Sequence, residues 1–337
     1  MKKNKSISPI SVVIILVVMV SIISIAFLHE NNKSIKARAA NNVSGNDHYN
    51  IIFLGRDAAA NLSDVLMLVS LDMTSGDVNI MQIPRDTYFN IGSERGSRIN
   101  TAPRQLGVDK FASALGEAMG INIDFYISLD LDTVKEMVDL VSGIEIDIPM
   151  DMEYNDPAQG LSINLKKGKR VLNGEEALSF LRFRSGYLTG DLGRLDAQKL
   201  FLNALGKRVG EIKNPIVVYN LFKLISSKGI TNIGEQEIIS LGIKCAKLKG
   251  GQAYYLTAPG EAIQSEQSGA WYYILSKPSL EEILKARFGA TKQEKSFDKD
   301  NKFVDKRVKS FYDIYNKRYD YKIYSAKEIE NSEININ

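Results

Sequence analysis

Five arginines stand in short, unlike segments of this chain, Arg85, Arg98, Arg182, Arg184 and Arg194, and two aspartates, Asp57 and Asp64, precede them. A guanidinium is a planar fork that pairs with two phosphate oxygens at once. Carboxylates beside such a cluster can hold a hard divalent cation on the same oxygens. The residue types therefore point to a metal-assisted phosphate site. Only His29 and His48 occur, so no histidine base or ligand is available after His48. Ser-His-Asp hydrolysis, histidine-ligated zinc and the H-E-x-x-H metalloprotease pattern have no place in the body of the chain. Cys245 is the only cysteine, which removes an internal disulfide, a dithiol redox centre and a cysteine-rich zinc site.

The local setting of each residue sharpens the reading. Leu54-Gly55-Arg56-Asp57 ends an apolar run and enters a loop, and Asp64 begins the next run, so both carboxylates can meet at one sheet edge and hold one magnesium ion. The alternative is local: Asp57 caps a turn and Asp64 pairs with Arg56. In Ile83-Pro84-Arg85-Asp86 the arginine sits just past a strand, where α/β sheets bind ligands. Leu181-Arg182-Phe183-Arg184 alternates apolar and basic residues, which in an extended segment would bury Leu181 and Phe183 and present both guanidiniums on one face. Gly190-Asp191-Leu192-Gly193-Arg194 leads into a helix that also carries Gln198, so Arg194 is presented near a helix N-terminus, a place that favours anions.

The elements that must position these residues alternate between short apolar strands and amphipathic helices. Strands are expected over 50–54, 65–71 and 78–83, the last two as antiparallel neighbours across a polar, glycine-containing loop. Helical spacing joins Val108, Phe111, Leu115 and Met119, and again Leu131, Val134, Val138 and Val141 behind Asp130 as N-cap. Ile144, Ile146 and Ile148 alternate with acidic residues as a half-buried strand, and Asn173 caps a helix running toward Arg182. Helices follow over 195–209, 216–225 and 235–248, with late strands over 254–256 and 271–275. This is an α/β chain: one large domain with a central mixed sheet flanked by helices.

Residues 10–28 carry no charge, close to the roughly 20 residues that span a bilayer core. That run is expected to be an uncleaved transmembrane anchor. The rival reading is a cleaved signal peptide, with Ala37-Arg38-Ala39 as its cleavage site, but the run is longer than an ordinary signal core. Lys2, Lys3 and Lys5 favour an N-terminus inside and a body outside the cell membrane. The expected organisation is a cytoplasmic N-terminus (1–9), the anchor (10–28), a polar linker (29–48), a catalytic domain (49–290) and a charged C-terminal tail or surface helix (291–337). A formal net charge of +3 over 337 residues, with only three lysines before the anchor, argues against a nucleic-acid partner.

With these segments assembled, the chain resembles the LytR-CpsA-Psr family of mainly Gram-positive bacteria over residues 50–205. The likeness is carried by Gly55-Arg56-Asp57, Ser63-Asp64-Val65-Leu66-Met67-Leu68-Val69, Ile83-Pro84-Arg85-Asp86-Thr87-Tyr88, Arg98-Ile99-Asn100-Thr101-Ala102 and Gly143-Ile144-Glu145-Ile146. It continues through Leu172-Asn173-Gly174-Glu175-Glu176-Ala177-Leu178, Arg182-Phe183-Arg184 and Gly190-Asp191-Leu192-Gly193-Arg194. The resemblance implies an enzyme that moves a glycopolymer from an undecaprenyl-pyrophosphate carrier to peptidoglycan, through a phosphodiester to a muramic acid hydroxyl and assisted by Mg2+. It implies that Asp57 and Asp64 hold the metal, that Arg85, Arg182, Arg184 and Arg194 bind the pyrophosphate, and that Arg98 and Gln198 are further candidates. Asp191 is the candidate base beside substrate-assisted or metal-bound proton transfer, and Arg85 is the other catalytic candidate. An apolar tunnel between the sheet and the helices at 108–119 and 131–141 is expected for the polyprenyl tail. The chain departs from the family pattern at Ala58-Ala59, at Thr101 after Asn100 and in the uncharged loop 185–190, which bears on substrate choice and rate. Two other functions are compatible with the same residues, a hydrolase that releases polyprenyl phosphate and a non-catalytic binder or regulator.

Overall fold

The computed structural model describes residues 47–57, 62–92, 97–157, 161–184, 186–187, 191–245, 248, 251–290 and 302–331. The proposed anchor and linker lie outside these residues, apart from Asp47 and His48. Among the described residues no helix is long and apolar enough to cross a membrane.

In chain order, β1 (His48–Asp57), β2 (Leu62–Asp72) and β3 (Val78–Gln82) form an antiparallel meander. The short ladder of β4 (Tyr88–Phe89) and β5 (Ser97–Arg98) leads through α1 (Ala102–Leu106) and α2 (Val108–Met119) to β6 (Phe125–Asp130), α3 (Leu131–Leu140) and β7 (Ile144–Ile148). Then come β8 (Met152–Asp156) paired with β9 (Leu161–Leu165), β10 (Gly168–Leu172), α4 (Gly174–Arg182), α5 (Asp191–Gly210), α6 (Pro215–Lys228), β11 (Ile230–Thr231) and α7 (Glu235–Cys245). The chain closes with β12 (Ala253–Thr257), the β13 (Gly260–Gln264) and β14 (Trp271–Leu275) hairpin, α8 (Lys277–Arg287), α9 (Lys309–Asn316), β15 (Tyr324–Ser325) and α10 (Ala326–Glu330).

Seven strands make the central sheet in the order β11-β6-β1-β2-β3-β12-β15. Because β1 is parallel to β6 and β3 to β12, with β2 antiparallel between them, the C-terminal ends of β1, β3, β6 and β12 all emerge at one edge. Period-two alternation divides the strands between two cores: Tyr49, Ile51, Met67 and Val69 face one side, Ile52, Leu54, Leu66 and Leu68 the other. The first side is covered by α3, α4, α5 and α6, the second by α2, α8 and α9. Each fully buried Leu, Ile or Phe contributes about 1.5–3 kcal/mol relative to exposure, so both layers hold the sheet that carries the edge.

The α2 stripe is sealed core, with Phe111, Leu115 and Met119 all 0% exposed. It also lies on the opposite face of the sheet from α3, so one tunnel cannot run beneath both helices. The first strand reaches Asp57 rather than stopping before Gly55. Gly55 lies so close to β2 that a Cβ there would sit 3.0 Å from the Cβ of Val65, and this close approach, not a turn, is what the glycine serves. Residues 302–331 do not form a loosely held tail: Phe303, Phe311, Tyr315 and Ile329 are buried, and β15 adds a strand to the central sheet. The body therefore continues past residue 290. Cys245 is buried as well, and burial pushes its thiol up to about 11 against the pull of Lys244, which leaves it unreactive at neutral pH.

Two helices that deliver the edge are fixed by local chemistry. Asp130 caps α3 by accepting from the Thr133 backbone at 2.7 Å. Asn173 caps α4 by accepting from the Glu176 backbone, while the Glu176 carboxylate accepts from the Asn173 backbone in return. Asn173→Ala should lower unfolding stability by about 1 kcal/mol, measured by denaturant titration, because the Glu176 backbone donor at the start of the helix that ends at Arg182 loses its partner. An unchanged midpoint would show that tertiary packing alone sets that helix.

Candidate functional site

The edge where four strand ends emerge opens into a cavity of about 520 Å3. From β1 comes Asp57; from the start of β2 come Leu62, Asp64 and Val65; and Arg85 follows β3. Leu131 opens α3, Leu181, Arg182 and Arg184 come from the end of α4, Arg194 and Gln198 from α5, and Tyr154 and Leu161 from the β8–β9 pair. Six of the seven residues expected to bind pyrophosphate or metal after β1 are thus gathered, together with Asp57; the exception is Arg98.

A register irregularity delivers Asp64. Val65 pairs with Gly55 but Ser63 pairs with Arg56, so Asp64 is an extra residue bulged out of β2. The bulge changes the side-chain parity of the strand. Leu62 and Asp64 share one face before it, and Val65, Met67 and Val69 share that face after it. Without the bulge, Asp64 and Val65 would point to opposite sides of the sheet; with it, both line the cavity. Asp57, paired with Leu62 at the neighbouring strand end, completes the carboxylates.

The Asp64 carboxylate bridges two arginines: Arg85 donates to one oxygen at 3.0 Å and Arg184 to the other at 3.0 Å. These partners stand in place of Arg56, the local partner that was the alternative for Asp64. Arg184 remains half-exposed, whereas Arg194 and Gln198 are each only 3% exposed. The latter two are one helical turn apart on α5 and share a face. Their helix is held to the sheet by Gln82, which donates from Nε2 to the Leu195 carbonyl at 3.0 Å and to Gln198 Oε1 at 3.3 Å. Gln82 was not expected as a site residue; the signal was an amide, one of two with Asn79, inside the otherwise apolar run 78–83.

Leu181-Arg182-Phe183-Arg184 is not extended throughout, because α4 continues to Arg182 and the chain opens only at Phe183. Phe183 is buried and both guanidiniums emerge at the cavity as expected, whereas Leu181 is only half-buried and forms part of the cavity wall. Tyr187, stacked edge-on against Phe183 at 5.4 Å, buries its hydroxyl without a hydrogen-bond partner. Burial pushes its phenol far above the ordinary tyrosine range despite the nearby Arg194 charge, so it stays a neutral donor. Asp191 begins α5, three residues before Arg194, and its side chain lies outside the described residues, as do Ala58-Ala59 and most of loop 185–190.

Arg98 is placed elsewhere. It pairs with Asp86 at 3.3 Å and donates to the Trp271 carbonyl at 3.1 Å, and it touches the cavity only through Asp86, which also lies 3.7 Å from Arg85. Its fork is used in holding the β5 end to β14.

Four arginines against two aspartates leave two positive charges in excess around the cavity. A pyrophosphate diester has two ionised oxygens, so the charge and the geometry suit that group. Apolar Leu62, Val65, Leu131, Leu161 and Leu181 form the remaining wall, beside Tyr154. Among the described residues no group of three or more His, Cys, Asp or Glu could hold a metal ion. The protein therefore offers two carboxylates, Asp57 and Asp64, rather than a complete cage. That donor set fits Mg2+, which keeps several waters and binds through one or two carboxylates plus substrate phosphates. Arg85→Ala should weaken binding of inorganic pyrophosphate by roughly tenfold or more in calorimetry, and Arg98→Ala should leave it within about twofold. Equal losses in the two variants would show that Arg98 belongs to the site.

The LytR_cpsA_psr family model matches residues 17–288. The chain is 31% identical over 246 residues to the polyisoprenyl-teichoic acid–peptidoglycan teichoic acid transferase TagV of Bacillus subtilis strain 168, covering 70% of this chain and 63% of that protein, just under two thirds of its length. It is 27% identical over 267 residues to the transferase TagU of Bacillus licheniformis, covering 77% of this chain and 84% of that protein. The crystal structure of B. subtilis TagV superposes with a TM-score of 0.59 at 27% identity, over 76% of this chain and all of that one.

Proposed function

The chain belongs to the LytR-CpsA-Psr family, and from that premise we propose that it is a phosphotransferase that moves a glycopolymer from a polyprenyl-pyrophosphate carrier to peptidoglycan. The observation that carries this reading is the single cavity that joins Arg85, Arg182, Arg184 and Arg194 to Asp57, Asp64 and an apolar wall. A pyrophosphate linked to a hydrocarbon tail has both an anionic centre and a greasy end, and this cavity offers a surface to each. The names of the transferases TagV and TagU support the same substrate class, a polyisoprenyl-linked teichoic acid and peptidoglycan.

In the proposed reaction an acceptor hydroxyl oxygen attacks the phosphorus that bears the glycan. The bond from that phosphorus to the bridging oxygen breaks, and polyprenyl phosphate leaves with the bond's electron pair. Arg85 and Arg184 are held ready by Asp64, and their forks face the ionised oxygens that gain charge as the bridge breaks. Arg194, buried in the first turn of α5, adds its charge to donors at the helix N-terminus, where the departing phosphate is stabilised. Asp57 and Asp64 are the residues that would hold Mg2+, which when bound supplies further neutralisation of the phosphate oxygens. We assign the acceptor's proton to Asp191, which opens the helix carrying Arg194. The leucines of the cavity wall receive the first isoprene units and exclude water from the breaking bond.

The segment 10–28 is proposed as the anchor that keeps the body at the outer face of the cell membrane, where a lipid-linked donor and the wall are both within reach.

The full chain in detergent micelles, mixed with Mg2+, a polyprenyl-pyrophosphate oligosaccharide and uncrosslinked peptidoglycan fragments, should yield a glycan joined to peptidoglycan through one phosphate, read by mass spectrometry. Arg85→Ala should lower the rate by about 10²–10³-fold. Asp57→Asn should do so chiefly at low Mg2+ concentration. Polyprenyl phosphate appearing with free glycan would make the protein a hydrolase, and an untouched donor would make it a binder.

A further inference from the structure

Trp271 is the only tryptophan of the chain. It opens β14, opposite Gln264 of β13, and 55% of its surface is exposed. Single exposed apolar side chains are common, so exposure alone says little. What sets Trp271 apart is its attachment to the catalytic edge. Its carbonyl accepts from Arg98 Nε at 3.1 Å, Arg98 pairs with Asp86 at 3.3 Å, and Asp86 stands beside Arg85, which lines the cavity. The Tyr273 backbone donates to the Asp86 carbonyl at 2.9 Å, and Thr87 bridges to Tyr273, so the hairpin is tied to the Arg85 segment by backbone as well as side chain. Next to Trp271, Tyr272 is wedged between Tyr88 and Phe311, each ring pair 5.6 Å apart. The indole is thus carried on a rigid support that is continuous with the candidate site.

The chemistry of this strip differs from that of the cavity. Arg98 and Asp86 neutralise one another, whereas the cavity carries excess positive charge. An anionic polymer gains nothing from a balanced strip. A lipid tail gains little from one exposed indole whose strand neighbours are polar, with Gln264 opposite it and the Arg98–Asp86 pair bonded to its carbonyl. A pyranose ring fits both features: its C–H face stacks on an aromatic plane, and its hydroxyls hydrogen-bond to planar carboxylate, guanidinium and amide groups. Resting on the transferase reading given above, we propose that the strip from Asp86 to Trp271 is a saccharide subsite that seats the uncharged glycan backbone of the acceptor. Trp271 is its stacking platform, and Arg98 is the residue that fixes the platform relative to Arg85.

The single tryptophan makes the test direct. The full chain in detergent micelles is titrated with the β-1,4-linked tetrasaccharide of N-acetylglucosamine, an uncharged mimic of the glycan backbone, and emission at 295 nm excitation is followed. A saturable change in tryptophan emission is expected. Calorimetry with the same sugar should show affinity reduced roughly tenfold in Trp271→Ala and partly kept in Trp271→Phe. Arg85→Ala should bind the sugar within about twofold of the unaltered chain. Sugar binding of equal strength in Trp271→Ala, or emission that responds to inorganic pyrophosphate and not to the sugar, would overturn the proposal. Sugar binding that survives in a protein found to release free glycan would keep the subsite and reject the transferase, so the two readings fail separately.

Discussion

Guanidinium groups gathered around one cavity repel one another, and the Asp64 carboxylate is the group that lets Arg85 and Arg184 converge, each at 3.0 Å. The pairs are partly exposed, so their value lies less in stability than in position. A carboxylate held between two arginines makes the same kind of contact that a phosphate would make. On the proposed reading, the protein folds with its anion-binding donors already oriented, and their ordering does not have to be completed when the substrate arrives. Everything else in the structure can be read as a means of bringing Asp64 and its two arginines to the same place from three separate stretches of chain.

The means is topological. Arg85 reaches the edge because β3 runs in the same direction as β1; Arg184 reaches it because α4, capped at Asn173, ends there. Asp64 reaches it because one surplus residue in β2 reverses the strand's parity. Regular pairing would have put either Asp64 or Val65 into the opposite core, where an aspartate would be an unpaired buried charge. The bulge keeps the acid on the polar side without giving up the apolar contact of Val65, and the close approach at Gly55 accommodates the distortion on the partner strand.

Local rules explain what was legible in the sequence. Asp130 and Asn173 cap helices through bonds to residues three positions away, and Ile144, Ile146 and Ile148 alternate because one face of their strand is buried. The arginine and aspartate types were legible too, since few other side chains suit a phosphate. What escaped depends on two segments at once. The bulge is a property of how β1 and β2 pair. The separation of Arg98 from Arg85 depends on where Asp86 and β14 lie, and nothing in the residue types distinguishes the two. The contribution of Tyr154 and Leu161 to the cavity requires the β8–β9 pair to fold over the edge. The last segment looked like a solvated tail because lysine and aspartate dominate it, while its few large apolar residues, Phe303, Phe311, Tyr315 and Ile329, are the ones that dock.

That docked segment bears on the site itself. Lys199 follows Gln198 on α5 and is 3% exposed; its ammonium contacts Asp196 at 2.6 Å and Thr257 at 3.0 Å, and lies 5.5 Å from the centre of the Tyr324 ring. Thr257 ends β12 and Tyr324 begins β15, so one buried cation joins the helix that carries Arg194 and Gln198 to two strands from the end of the chain. A buried ammonium is costly unless its partners stay in place, which makes this junction sensitive to any movement of its neighbours. Asn203, one turn further along α5, adds a bond of 3.3 Å to the Tyr255 hydroxyl of β12. The azimuth of α5, and with it the direction in which Arg194 points, is therefore set from both sides: by Gln82 at the cavity and by residues 253–257 and 324 behind it. An edge assembled from residues between Asp57 and Gln198 is in this way held to geometry by strands near the end of the chain.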